Sequence, residues 1–281
     1  MVVSKLHPYP ILTVLKLMKT AKPLGAKQAL AFYTAPLKWI ALLGRVKYYD
    51  LLPTFLTLKL PYGTFSMRSP NVFTLVHEVR EIYHILSDFI DKDTVLVDVG
   101  AYIGLYTVCA CRRARRVLAV EPNPYALIYL RANIALNNCS NVIIVPKATG
   151  DRRGLTELRI PKGARNEEIS DAGASIVWSS KDFEEFRKAF SIKVELDTLD
   201  NIVDQAGLDT VDFIKIDVEG AEGLVVKGAE KTLKKAKALL IEVWPRNSQV
   251  LGILYSLGYK LRAVFDYVGY KNYLLVKSYS A

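Results

Sequence analysis

Residues Thr94–Thr107 read TVLVDVGAYIGLYT. Val95, Leu96 and Val97 form an apolar run that ends in an acid, Asp98. A short turn holding Gly100 and Gly104 follows, and Leu105–Val108 opens a helix-like run. An unbroken apolar run closed by an acid and a glycine turn predicts a strand buried on both faces that feeds a helix. Glycine belongs in such a turn where backbone passes close to a ligand or where φ must be positive. The pattern D-x-G-x-x-x-G is not the dinucleotide fingerprint G-x-G-x-x-G, so the turn alone names no ligand.

The alternation continues downstream. A strand over Val117–Val120 ends at Glu121, a helix covers Tyr125–Leu136, and a strand over Val142–Pro146 leads to a turn at Ala148–Asp151. Leu155–Ile160 and Ser191–Leu196 read as additional strands, and Asp197–Gln205 as a short helix. A buried strand over Val211–Ile216 ends in Asp217, Glu219 and Glu222, and one long helix is expected from there through Lys237. Strand Ala238–Val243, helix Ser248–Leu257 and a hairpin of Lys260–Tyr267 with Asn272–Lys277 close the chain. Strands alternating with helices imply a mostly parallel sheet joined by crossovers. Residues 76–281 therefore read as one α/β domain, with a polar insertion over 161–190 of the kind that serves as a lid or recognition loop.

Residues 1–75 read as a separate extension. No acid occurs before Asp50, whereas Lys5, Lys16, Lys19, Lys22, Lys27, Lys38, Arg45 and Lys47 are spread among apolar stretches. Those stretches are too short or too broken by Pro23 and Pro36 to span a bilayer. Basic amphipathic helices suit an anionic membrane surface or RNA. Phe55–Leu60 and Thr64–Arg68 are expected to pair as a hairpin. The net charge of +10 also favours acidic partners: anionic lipid, anionic glycan or nucleic acid. Cys109, Cys111 and Cys139 are odd in number, which argues against a disulfide framework and for a reducing, cytoplasmic setting, while the basic residues 1–49 suit peripheral attachment to an anionic membrane. Neither these cysteines nor His7, His77 and His84 form a metal-binding spacing.

In an open parallel sheet, ligands bind outside the carboxyl ends of the strands. Asp98, Glu121, the Ala148–Asp151 turn and the trio Asp217, Glu219 and Glu222 all fall at such ends. Acids at three strand ends are an expensive arrangement unless they meet a ligand. Glu121, 17 residues after Gly104, has about the spacing at which an acid meets ribose hydroxyls. A diphosphate wants donors and positive potential, but this pocket is acidic and suits a cation. S-adenosylmethionine carries a sulfonium, an ammonium and a ribose diol.

VDVGAYIGLYT (Val97–Thr107), AVEPNP (Ala119–Pro124), ATGD (Ala148–Asp151), GASI (Gly173–Ile176), LDTLD (Leu196–Asp200), DFIKIDVEGAE (Asp212–Glu222) and LLIEVWP (Leu239–Pro245) together resemble the FkbM family of class I S-adenosylmethionine-dependent methyltransferases. The resemblance covers about two thirds of the chain and is most specific at Asp212–Glu222. It implies a Rossmann-like sheet of seven strands in the order 3-2-1-4-5-7-6, and methyl transfer to oxygen. The acceptor it implies is a hydroxyl of a glycan, glycolipid or small molecule.

Carried onto this chain, Asp98, Gly100, Tyr102 and Gly104 would shape the methionine end of the cofactor pocket. Glu121 would hold the ribose, and Asn123, Ala148 and Asp151 would lie near adenine. Asp217 and then Glu219 are the candidate bases, while Glu222 reads as a cap for the helix that follows. Tyr102 departs from the family, which commonly has Asn there. An RNA ribose 2′-O-methyltransferase is the alternative, with Lys215, Asp217 and Glu242 as its catalytic set.

Overall fold

The computed structural model describes residue 19 and residues 22–41, 55–68, 82, 85, 87–161, 173–178, 189–267 and 269–277. Expectations for residues 1–18 and for most of the 161–190 insertion lie outside the described residues, as does most of His77–Phe89, whose apolar spacing predicts a helix. The chain divides into two units, Met1–Ile82 and Tyr83–Ala281.

In the first unit, β1 (Lys22–Pro23) leads into helix α1 (Ala26–Ala41), and β2 (Phe55–Leu60) and β3 (Gly63–Arg68) form the expected hairpin. β2 pairs antiparallel with both β1 and β3. Leu56, Leu58, Phe65 and Met67 alternate along the hairpin and are fully buried, so period-two patterning gives the sheet one apolar face. α1 is tied to β2 where the Thr57 amide donates to Gln28 Oε1 at 2.9 Å. Lys27, Leu30 and Tyr33 are exposed on α1. Among the described residues no helix is long and apolar enough to cross a membrane.

The second unit holds the seven-stranded sheet. Its strands are β4 (Val95–Val99), β5 (Arg116–Val120), β6 (Val142–Val145), β10 (Phe213–Ile216), β11 (Ala238–Val243), β12 (Tyr259–Asp266) and β13 (Lys271–Lys277). Their order is β12-β13-β11-β10-β4-β5-β6. Numbered within the sheet alone, that is 3-2-1-4-5-7-6 read from β6. The first five in chain order are parallel, and β13 runs antiparallel between β11 and β12. β4 is buried at every position, as an apolar run in a parallel sheet requires.

Helices α2 (Leu105–Cys111), α3 (Pro124–Leu136), α4 (Leu199–Gln205), α5 (Glu222–Lys227), α6 (Glu230–Lys235) and α7 (Gln249–Ser256) accompany the sheet. One large apolar cluster gathers Val95, Val97, Val99, Ile214, Ile216, Leu239 and Ile241 with residues of α4 to α7. By strand alternation, Asp98 and Lys215 point to the other side of the sheet. The strand order reverses between β4 and β10, which puts the ligand crevice of an open α/β sheet at the ends of those two strands.

Three local expectations are corrected. Ala148–Gly150 is not a turn: it forms β7, parallel to β9 (Phe190–Thr198), which also pairs antiparallel with β8 (Gly154–Ile160). The single helix expected through Lys237 is two helices, α5 and α6, broken at Gly228. A β-carbon at Gly228 would stand 1.9 Å from the Gly150 carbonyl oxygen, so β7 and the helix junction meet backbone to backbone. The cysteines are not all thiols, because Cys111 and Cys139 form a disulfide across a Cα separation of 5.7 Å. Asn141 Nδ2 donates to the Cys111 carbonyl at 2.9 Å and to that of Ala114 at 2.8 Å, clamping the exit of α3 against the exit of α2. Twenty-eight residues separate the two cysteines, and spacing alone did not reveal the pairing. Cys109 is buried in α2 without a disulfide.

Gly228→Ala is expected to push β7 away from α5, at a cost typical of overpacked buried sites of about 2–4 kcal/mol. Thermal unfolding checks this: Tm should fall by roughly 5–10 °C relative to the parent chain.

Candidate active site

Two parallel strands set the centre of the site. β4 and β10 pair with Asp98 directly beside Lys215. Lys215 is only 6% exposed, and its Nζ lies 3.7 Å from Asp98 Oδ1 and 3.2 Å from Asp217 Oδ2. The same ammonium donates to the Gly100 carbonyl at 2.9 Å and lies 5.2 Å from the centre of the Tyr106 ring. Asp98 is fully buried, and its Oδ2 accepts from Thr107 Oγ1 at 2.7 Å, one turn into α2. Burial pushes the Asp98 carboxyl above its usual range, with Lys215 opposing the shift.

Gly100 is required by close approach. It has φ of 76°, and a β-carbon there would lie 1.7 Å from the Asp217 carbonyl oxygen. The turn after β4 and the turn after β10 are thus in backbone contact. Tyr102 adopts a left-handed φ of 52°, a conformation that Asn tolerates better than an aromatic residue. Gly104, also left-handed, stands at the N-cap of α2.

Glu121 ties the next turn to the first. Its Oε2 accepts from the Tyr102 amide at 2.8 Å and its Oε1 from the Asn123 amide at 2.8 Å. Burial nevertheless pushes this carboxyl up to about 7, against the pull of those two amides. Asn123 is buried and caps α3, accepting from the Tyr125 amide at 3.0 Å ahead of Pro124 at the first helical position.

The turn after β10 carries the remaining acids. Glu222 is fully buried and structural: its Oε1 accepts from the Gly220 amide at 2.9 Å, and its Oε2 from Asn247 Nδ2 at 2.9 Å. Glu219 is half-buried in a left-handed conformation, φ 52°. Burial, reinforced by the charges of Asp217 and Glu222, pushes its carboxyl up to about 8. Glu242, at the end of β11, accepts from Trp244 Nε1 at 2.6 Å, and burial raises it as well, with Asp217, Glu219 and Glu222 adding to the effect.

Asp98, Asp217 and Gly100 meet at Lys215, Glu121 ties Tyr102 to Asn123 beside them, Glu219 is linked to the group through the charges of Asp217 and Lys215, and Gly104 stands apart at the start of α2. Ala148 is buried at the start of β7. Asp151 follows Gly150, which meets the far end of α5 at Gly228, and it pairs with Arg152 at 3.2 Å. Among the described residues, no hydrogen bond or ion pair joins Asp151 to the Lys215 group.

Several participants were not singled out from the sequence. Ser175 Oγ donates to the Glu219 carbonyl at 2.7 Å and accepts from the amides of Val177 and Trp178, so residues 173–178 are pinned across the acidic turn. Asn247 Nδ2 grips the Gly220 carbonyl at 2.7 Å from a 3₁₀ turn at Pro245–Asn247. Ser175 lies in the GASI stretch and Asn247 two residues past LLIEVWP, but a serine or an asparagine in a loop carries no spacing signal.

Asp98 and Asp217 thus meet one buried ammonium at the strand-order reversal, and Glu121, Glu219, Glu222 and Glu242 lie close enough to feel the charge of Asp98, of Asp217 or of one another. A family model described as the Methyltransferase FkbM domain matches residues 98–261, more than half the chain. The chain belongs to the FkbM methyltransferase family. It is an enzyme of the methyltransferase class with the Rossmann-like fold just described. NoeI of Sinorhizobium fredii, a 2-O-methyltransferase, is 27% identical over 206 residues, covering 72% of this chain and 79% of NoeI. The hexuronic acid methyltransferase AglP of Haloferax volcanii is 23% identical over 182 residues, covering 64% of this chain and 69% of AglP. The crystal structure of the methyltransferase FkbM from Methylobacillus flagellatus KT aligns with 88% of this chain and 60% of its own length, at 16% identity and a TM-score of 0.43.

The burial of these acids has a signature in the ligand-free protein. Glu121 and Glu219 have raised folded-state values of about 7 and about 8, against an ordinary 4.5. The folded chain therefore holds protons that the unfolded chain has released, and stability falls as pH rises from about 4.5 to 8. For the buried Glu121 alone the loss approaches about 3 kcal/mol across that window. Scanning calorimetry without ligand should show Tm falling from pH 5.5 to 8.5, with a shallower fall in Glu121→Gln.

Proposed function

We propose that the chain is an S-adenosylmethionine-dependent O-methyltransferase acting on a hydroxyl of a glycan, glycolipid or other sugar-like small molecule. The observation that carries this reading is the surplus of carboxylate over ammonium around Lys215. Such a pocket favours a ligand that brings positive charge, as the sulfonium and ammonium of this donor do. The residues fit the donor in kind: Asp98 and Asp217 beside the Gly100 turn for its charged end, Glu121 for its ribose hydroxyls, and Asn123 with Ala148 on the adenine side. NoeI and AglP, one described as a 2-O-methyltransferase and the other as acting on hexuronic acid, support an oxygen on a sugar-like acceptor.

The donor, when bound, supplies a methyl carbon on positively charged sulfur, activated for attack by an oxygen lone pair. The chain holds the acceptor hydroxyl in line and takes its proton. Asp217 is held in orientation by Lys215. Glu219 carries the proton-accepting role better. It stands at the lip of the pocket, and positive charge brought into the pocket draws its raised value down, so the base ionises when donor is present. Lys215 is engaged by Asp98, Asp217 and the Gly100 carbonyl, which argues against its serving in a ribose-directed Lys/Asp/Glu set on RNA.

Glu219→Gln should lower kcat by about 10²–10⁴-fold while S-adenosylmethionine affinity stays within about threefold. Single-turnover transfer to a panel of oligosaccharides, with calorimetry of donor binding, reads both. Unchanged kcat would remove Glu219 from the reaction, and absence of donor binding by the parent chain would remove the proposed function.

A further inference from the structure

Four aromatic rings run outward from the turn that carries Glu219. Trp178 meets Trp244 edge-on with ring centres 5.0 Å apart. Trp244 lies 5.2 Å from Tyr270, which stacks on Tyr267 at 5.1 Å and an interplanar angle of 19°. The rings come from three pieces of chain: the pinned segment at 173–178, the end of β11, and the turn between β12 and β13. Trp178 is buried, whereas Trp244, Tyr267 and Tyr270 are half-buried. Arg246 is exposed, and its guanidinium carbon lies 3.4 Å from the centre of the Trp178 ring. A β-carbon on Gly220 would stand 2.9 Å from Arg246 Nη2, so this positive charge sits beside the residue that follows Glu219.

We propose that this ladder is the acceptor subsite, and that it takes a saccharide bearing an acidic group, with sugar faces on Trp244 and Tyr270 and the acidic group on Arg246. The proposal rests on the O-methyltransferase reading and names the acceptor class within it. The C–H face of a pyranose is apolar and weakly positive, and it matches the negative face of an aromatic ring. Half-buried Trp and Tyr present that area with few rotatable bonds left to order. Arg246 supplies what the rest of the mouth lacks. Glu219 and Glu242 would repel an acidic acceptor, whereas a guanidinium is a two-pronged partner for a carboxylate. Stacking on Trp178 holds the plane of that guanidinium. Charge then sorts the two substrates, the cationic donor to the carboxylates below and the anionic acceptor to Arg246 at the lip.

The test is calorimetric titration of the full chain, free of donor, with trigalacturonate, with neutral cellotriose, and with a short oligouridylate. Trigalacturonate should bind, cellotriose should bind at least about tenfold more weakly, and Arg246→Gln and Tyr270→Ala should each weaken trigalacturonate by about tenfold or more. Tyr270→Phe keeps the ring and should stay within about threefold of the parent chain, which separates lost stacking from lost folding. S-adenosylmethionine is titrated into the same proteins. Donor binding with no trigalacturonate binding, equal binding of cellotriose, or unaffected variants would overturn the acceptor class and leave the methyltransferase reading standing. Tighter binding of oligouridylate, lost in the same variants, would replace the saccharide by RNA. Failure of the donor to bind the parent chain would instead remove the reading on which the proposal rests.

Discussion

Lys215 is the residue on which the site depends. It is buried between Asp98 and Asp217 and hydrogen-bonded to the Gly100 carbonyl, so one ammonium ties the end of β4 to the end of β10. Without it, the fully buried Asp98 and the partly buried Asp217 would face each other uncompensated, and a buried ion left without its partner costs several kcal/mol. One positive charge cannot balance the acids collected there. Burial raises Glu121, Glu219 and Glu242, and at Glu219 and Glu242 the neighbouring carboxylates add to the effect.

Much of this was legible in the chain. The sheet strands were visible because a parallel strand buried on both faces needs an unbroken apolar run, and Val95–Val97, Val117–Val120 and Ala238–Ile241 supply it. The acids at the strand ends were visible because the strands located them. Lys215 was visible as a residue but not as a hub: its partners Gly100 and Asp98 lie more than a hundred positions away, and only strand register brings them together. The break at Gly228 was hidden for the same reason, since a helix-compatible glycine reveals nothing until the Gly150 carbonyl is placed against it. The disulfide was hidden by arithmetic, because an odd cysteine count was read as no framework when two of the three pair.

The loops show a division of labour. Glu222, which shares the acidic turn with Asp217 and Glu219, is consumed by holding the turn's own amides and Asn247, as a helix-capping acid is expected to be. Ser175 and Asn247 grip the Glu219 and Gly220 carbonyls from two other segments. Glu219 is thereby kept in a left-handed conformation that an unconstrained glutamate would leave. A strained carboxylate at the lip of an acidic pocket, held from three sides, is positioned to act on something outside the pocket while answering to the charge inside it.

That coupling between the charge inside the pocket and the protons on its walls is the central claim. It is read most directly by titrating S-adenosylmethionine at pH 7 in two buffers of different ionisation enthalpy. The expected result is net release of about one proton on binding, with affinity rising from pH 6 to pH 8.5 as Glu121 and Glu219 ionise. Binding with no proton release and an affinity flat across that range would contradict it.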